Sequence, residues 1–133
     1  MTTLYLIRGI PGSGKTTLAV NLCMNMEYPA VMLEADRYFI NSSGVYEFDP
    51  SKLSEAHNDC YSRAMENLIE GRDVIVSNTS TTEEEVQRYQ QLAEELGVNF
   101  VSLIVENRHG GKNVHGVPED KIQQMKDRFS IKL

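Results

Sequence analysis

Cysteine is too scarce here for a disulfide framework: only Cys23 and Cys60 can pair, and both lie in stretches that read as helix. Reduced thiols and a cytoplasmic location are therefore expected. Long apolar runs are missing as well. The first, at 4–7, is interrupted by Arg8 and Gly9, far short of a signal-peptide core or a membrane span, so no membrane partner is expected. Basic charge is in deficit, with 13 Lys and Arg against 19 Asp and Glu and a formal net charge of −6. That is the wrong sign for a protein that coats nucleic acid through many phosphate contacts, though it leaves room for a single bound strand end. Residues 108–132 run against this balance with six Lys and Arg and three acids, a pattern that also suits the ordinary surface of a terminal helix. There is no internal repeat and no linker long enough to mark a second domain. With 41% hydrophobic and 24% charged residues, the chain reads as one packed domain over 1–133.

Short β-branched runs at 4–8, 30–34, 74–77 and 99–106 read as strands, and longer amphipathic stretches separate them. This βαβα order predicts an α/β fold, a three-layer domain with a short parallel sheet of about four strands flanked by helices. A helix is expected over 15–24, with Leu18 and Leu22 on its stripe. A second is expected over 51–70, started by Asp49-Pro50, stopped by Gly71, and striped by Leu53, Ala56, Cys60, Ala64 and Leu68. The third has Thr81 and Glu84 as a capping box, then Val86, Tyr89, Ala93 and Leu96, and Gly97 past its end. Residues 107–117 have no period and read as a mobile, lid-like loop before a helix that opens at Pro118 with Glu119 and Asp120 in its first turn.

Gly9-Ile10-Pro11-Gly12-Ser13-Gly14-Lys15-Thr16 satisfies G-x-x-x-x-G-K-[ST] and lies where its mechanism requires, after an apolar strand and before a helix. Glycines let the backbone curl its N–H groups toward phosphate oxygens, and the helix that follows adds its positive end. Lys15 then reaches the β- and γ-phosphates, Thr16 offers its hydroxyl to Mg²⁺, and Thr17 completes the contact set, so ATP and Mg²⁺ are the expected cofactors. A guanine-reading Asn-Lys-x-Asp segment is absent, which excludes a switch GTPase, and the chain is short for a motor. A small phosphotransferase fits.

Ligands of such sheets lie beyond the carboxyl ends of the strands, which puts Asp36, just past strand two, across the crevice from the phosphate loop. Asp36 is the candidate acceptor of a hydroxyl proton and Arg37 a candidate holder of a phosphate on the acceptor molecule. After strand three the usual carboxylate is missing. Asn78 stands there instead, either touching substrate or serving the turn, with Ser80, Thr81 and Thr82 read as a helix cap. His57 and Cys60 are three apart on a helix without a second metal-ligand pair, so His57 reads as a core or site-lining residue. Arg108, His109 and Lys112 are the loop residues from which closure would bring a cation to the transferring phosphoryl group, with Arg108 and Lys112 as the catalytic candidates and a solvated basic loop as the alternative.

Together these segments resemble the small P-loop kinase domains of the polynucleotide 5′-hydroxyl kinase type, in particular the kinase-like domains of Nedd4-binding protein and of 2′,3′-cyclic nucleotide phosphodiesterase. The likeness runs through the GIPGSGKT loop, the ADRYF segment, Ala56-His57-x-x-Cys60, VIVSNTSTT, and the closing Asn113-x-His115-Gly116-Val117-Pro118 with Ile122, Met125 and Arg128 behind it. The resemblance implies that Asp36 is the general base toward an acceptor hydroxyl and that Arg108 and Lys112 contact nucleotide phosphates. Two departures stand out. The third strand commonly ends in Asp-Asn-Thr or Ser-Asp-Thr and here reads Ser77-Asn78-Thr79, and the usual lid Arg-Asn is Lys112-Asn113. The expectation is an ATP-dependent phosphotransferase acting on the 5′-OH of a nucleic acid end or a nucleotide-like molecule. The alternatives are a small-metabolite kinase on the same scaffold and a non-catalytic, ATP-dependent binding module.

Overall fold

Alternation along the two central strands decides which side chains each face of the sheet presents. Leu4 and Leu6 of β1 (Thr3–Arg8) and Val74 and Val76 of β3 (Val74–Asn78) enter one core cluster; Ile7 and Ile75 enter the other. All six are fully buried. Burial of such a side chain contributes about 1.5–3 kcal/mol, and strands buried on both sides need helices on both. The computed structural model describes residues 1–113 and 116–133 and shows this arrangement; His115 of the closing stretch and part of the expected 107–117 loop lie outside the described residues.

β2 (Val31–Leu33) and β4 (Asn99–Ile104) complete a four-stranded, all-parallel sheet in the order β2-β3-β1-β4. α1 (Lys15–Met24) covers one face with Ala19 buried and Leu18 and Leu22 packed beside it. α2 (Leu53–Ile69) and α3 (Glu83–Leu96) cover the other. The buried row of α2, Ala56, Cys60, Ala64 and Leu68, is mostly small, which lets the helix lie close to the sheet. Register places Arg8 opposite both Asn78 and Ile104, so β1, β3 and β4 end level and open onto a common crevice.

Several boundaries differ from expectation. The second helix begins at Leu53, after a 3-10 turn at Pro50–Lys52 whose first N–H groups Asp49 caps, and Leu53 itself is exposed rather than part of the buried stripe. The capping box of α3 is formed by Thr82 and Glu85, one residue later than Thr81 and Glu84. Thr81 is fully buried and already committed: its hydroxyl accepts from Arg128 Nε at 2.9 Å and its carbonyl from Ser130 N at 2.7 Å. The run Thr-Thr-Glu-Glu-Glu lets the box slide by one without loss. β2 and β4 are shorter than their apolar runs, and Pro118 caps α4 (Glu119–Arg128) from outside its first turn. Among the described residues no helix is long and apolar enough to cross a membrane.

Candidate functional site: the phosphate-loop crevice

The loop between β1 and α1 is held by its neighbours at the strand ends. Gly9 N donates to Thr79 O, and Val105 N donates to Arg8 O at 2.8 Å. Within it Ser13 N donates to Ile10 O, Pro11 starts the turn, and Gly12 and Gly14 take positive φ of 82° and 101° that side chains with a Cβ rarely adopt. α1 then starts with no side-chain cap and no acid in its first turn, where Lys15, Thr16 and Thr17 stand. α3, by contrast, has a capping box and three glutamates there. Ser13 is fully buried and its hydroxyl has no partner among the described residues. A curled glycine loop, a free helix end and an orphaned hydroxyl fit a phosphate group that supplies the missing acceptors.

Lys15 folds back over this loop, donating from Nζ to Gly9 O at 2.9 Å and Ile10 O at 3.1 Å. Burial pushes its ammonium below the ordinary 10.5, while the carboxylates of Asp36 and Glu34 push it back up. Asp36 thus lies within electrostatic reach of Lys15 from the opposite wall of the crevice, half-buried on a 3-10 turn at Ala35–Phe39. Arg37, on the same turn, is exposed and pairs with Glu34 at 3.8 Å.

Glu34 is a site residue that sequence reasoning passed over. Its Oε1 accepts the Thr16 hydroxyl at 2.6 Å, bringing a carboxylate to the residue best placed to hold Mg²⁺. A hydroxyl beside a carboxylate is a hard oxygen donor set, and Mg²⁺ is a hard cation that takes few protein ligands alongside nucleotide phosphates. The signal was present in the sequence as an acid next to the end of β2, where Asp36 drew the attention instead.

Asn78 is buried in the wall rather than open to a ligand. Its Oδ1 accepts from Ala35 N at 2.9 Å and its Nδ2 points at Cys60 Sγ, 3.8 Å away. It ties the turn that carries Asp36 to the middle of the sheet, where an aspartate would bring charge into the core. His57 sits half-buried on α2 next to Ala56, and the described residues contain no group of three or more His, Cys, Asp or Glu side chains placed to hold a metal ion.

The loop after β4 lies directly on the phosphate loop. A Cβ on Gly12 would meet Asn113 N and the Lys112 carbonyl carbon at 2.7 Å, and one on Gly111 would meet Gly12 O at 2.5 Å. The His109 ring stands over Gly14, 3.5 Å from where a Cβ would be. Asn107 fixes the turn by accepting from Gly111 N at 2.7 Å and donating to Gly111 O at 2.8 Å. Arg108 is turned outward, highly exposed and paired with Glu106, and the Lys112 side chain is exposed. Of the three loop residues named from the sequence, His109 is the one whose ring, although exposed, lies against the phosphate loop, and the aperiodic run does not distinguish it from Arg108.

Beyond Asp36 the chain makes an excursion at 40–49 that returns through a bridge between Ile40 and Tyr46 and borders an open cavity of about 490 Å³. Tyr38, Phe48 and Ile40 give it apolar walls, Glu47 and Asp49 an acidic rim, and Lys52 one cation.

Residues 4–131 match the model of a family described as an AAA domain. NEDD4-binding protein 2 of Homo sapiens is 29% identical over 134 aligned residues, which take in 95% of this chain and 8% of that protein. Among solved structures, the Pnkp1/Rnl/Hen1 RNA repair complex contains a chain that superimposes with a TM-score of 0.75 over 96% of this chain and 44% of its own length, at 16% identity. The APS kinase CysC of Mycobacterium tuberculosis, in complex with AMPPNP and APS, gives 0.61 over 92% and 67% at 17% identity. At these identities the likeness is one of fold, a kinase-like P-loop fold.

Proposed function

The chain belongs to the AAA domain family, and from that premise we propose that it is a cytoplasmic, Mg·ATP-dependent phosphotransferase, residues 1–133 acting as one domain, which moves the γ-phosphate to the 5′-OH of a nucleic acid end or a nucleotide-like acceptor. The observation that carries the reading is the uncapped glycine loop with its orphaned Ser13 hydroxyl and Lys15 folded over it, joined by the Asp36 carboxylate within electrostatic reach of Lys15 on the connection that goes on to line a cavity from Tyr38. The loop 9–16 binds the triphosphate through its N–H groups, and Lys15 leaves the carbonyls of Gly9 and Ile10 for phosphate oxygens. Thr16 is the side chain that would hold Mg²⁺, which when bound neutralises charge on the β- and γ-oxygens. Asp36 accepts the proton of the attacking hydroxyl, and Arg37 stands beside it to take a phosphate of the acceptor. His57, half-buried on α2, is assigned to the acceptor side on this reading. Arg108 and Lys112 reach the phosphates on a further movement of their loop.

A small-metabolite acceptor is the second reading, favoured by the acidic rim that Glu47 and Asp49 give the cavity. A non-catalytic binding module is the third, favoured by the uncharged end of β3 at Ser77 and Asn78.

One experiment separates them: γ-labelled ATP and Mg²⁺ with 5′-OH DNA and RNA oligonucleotides, nucleosides, 3′-nucleotides and sugars, alongside Lys15→Ala and Asp36→Asn. Label on a 5′ end that vanishes in both variants is the expected result. Label on a sugar or nucleoside moves the reading to a metabolite kinase. ATP binding without transfer to any acceptor refutes the phosphotransferase.

A further inference from the structure

The uncharged end of β3 leaves a chemical question. In P-loop proteins Mg²⁺ is held by the loop Ser or Thr together with a carboxylate, commonly at the end of the strand that here reads Ser77-Asn78. Ser77 is buried and uncharged, and both ends of the Asn78 carboxamide face the scaffold. We propose that the carboxylate comes from the residue after β2 instead: Glu34 accepts the hydrogen bond of the Thr16 hydroxyl and thereby turns its lone pairs toward the Mg²⁺ of the bound nucleotide. This assignment rests on the reading of the crevice as a Mg·ATP site.

A hydroxyl has one proton and two lone pairs. It can face a cation only with its lone pairs, so the proton must point to an acceptor on the other side. Glu34 Oε1 is that acceptor, at a distance in the range of charge-assisted O–H···O⁻ bonds. Glu34 directly follows β2, the neighbour of β3 in the sheet, so the negative charge enters the crevice one strand away from its usual origin. Its second oxygen faces Arg37 Nε at 3.8 Å, which holds the carboxylate in place from the solvent side. Lys15 is coupled to the same carboxylate, so the three charges that a nucleotide phosphate and its cation would meet already form one set.

The test follows binding of a fluorescent ATP analogue, mant-ATP, in EDTA and over a Mg²⁺ titration, for the wild type, Glu34→Gln, Thr16→Val and the double variant. Mn²⁺ with electron paramagnetic resonance provides a second readout of the bound cation. Loss of such an outer partner costs about 10–100-fold in metal affinity, so Glu34→Gln should raise the half-saturating Mg²⁺ by that factor while affinity in EDTA is no weaker than wild type, one negative charge having left the phosphate site. Because the two side chains act as one unit, the double variant should lose no more than the larger single loss. An unchanged Mg²⁺ midpoint in Glu34→Gln, or additive losses in the double variant, overturns the assignment and leaves the nucleotide site standing. A wild type that binds mant-ATP under neither condition overturns the nucleotide reading itself.

Discussion

Asn78→Ala removes a single buried acceptor, and its consequences can be followed from core to crevice. Ala35 N–H loses the oxygen it meets at 2.9 Å, and both residues are buried, at 4% and 6% exposure, so water has poor access to replace it. A buried donor left unsatisfied costs about 1–3 kcal/mol. The gap beside Cys60 adds a smaller amount, since the contact from Nδ2 to the thiol is long, at 3.8 Å. With a loss of about 2 kcal/mol and roughly 3–5 °C of midpoint per kcal/mol for a domain of this size, thermal unfolding should move down by roughly 6–10 °C. Tryptophan is absent, so urea and thermal unfolding are best followed by far-UV circular dichroism. The same bond anchors the turn at Ala35–Phe39 that carries Asp36. Loosening it should lower kcat by about 10–100-fold, the cost of misplacing a reacting group by an ångström or less, while mant-ATP affinity stays near wild type. A midpoint shift under about 2 °C with unchanged turnover would refute the anchor. Equal loss in nucleotide affinity and kcat would move the role of Asn78 to the phosphate loop.

Gly111→Ala places a methyl 2.5 Å from Gly12 O and 2.7 Å from His109 Nε2, so the loop after β4 must lift from the phosphate loop. Faster proteolysis near 107–113 and a raised KM for ATP are expected, and an unchanged cleavage pattern would contradict the docked loop. Arg8 is buried at the end of β1, donates to Ser80 O at 2.9 Å and Ser130 O at 2.7 Å, and stacks on Phe129. Arg8→Met should cost about 2–4 kcal/mol, the loss of two hydrogen bonds from a charged donor partly offset by retained packing, measured by urea titration. Burial lowers the Lys15 amine from 10.5, so the folded chain sheds this proton at a lower pH than the unfolded one. Its penalty on stability is relieved as pH rises through that window, while the cation offered to phosphate disappears. Nucleotide affinity should therefore fall with rising pH at a midpoint below 10.5, and a profile matched by Lys15→Ala would exclude Lys15 as the titrating group.

The strands and the four helices were legible because their signals are periodic. Leu4, Leu6 and Ile7, or Ala56, Cys60 and Ala64, state in their spacing which face is covered, and Gly97 at φ 66° ends α3 where a left-handed residue was expected. Much of what the sequence left undecided was a choice between polar residues one or two positions apart. Thr81 and Thr82 are both competent caps, and only the arrival of Arg128 and Ser130 from the far end of the chain selects Thr82. Glu34 and Asp36 both follow β2, and only the position of Thr16 shows that the first carboxylate reaches the loop. Arg108 and His109 differ by one position in a run without period, and the structure turns the first to solvent and the second onto Gly14.

The crevice is built on two separate strand-to-helix connections, and this separation bears on how such a site changes. The nucleotide side is the loop from β1 into α1, fixed by glycines that tolerate almost no substitution. The proposed acceptor side is the longer connection from β2 to α2, whose 40–49 excursion rests on Phe39, buried and in edge contact with Tyr46 and Phe48. The Thr16 to Glu34 bond couples the halves directly across the mouth, and the bond between Asn78 and Ala35 ties the second half to β3 beneath it. Residues that line the adjoining cavity, such as Tyr38, Ile40, Glu47 and Phe48, make neither of these two bonds. Ile40 and Glu47 lie off the turn that carries Asp36, so on the proposed reading they can change the acceptor side with little effect on Lys15, whereas Tyr38, on that turn, and Phe48, packed on Phe39, would carry a change back toward Asp36.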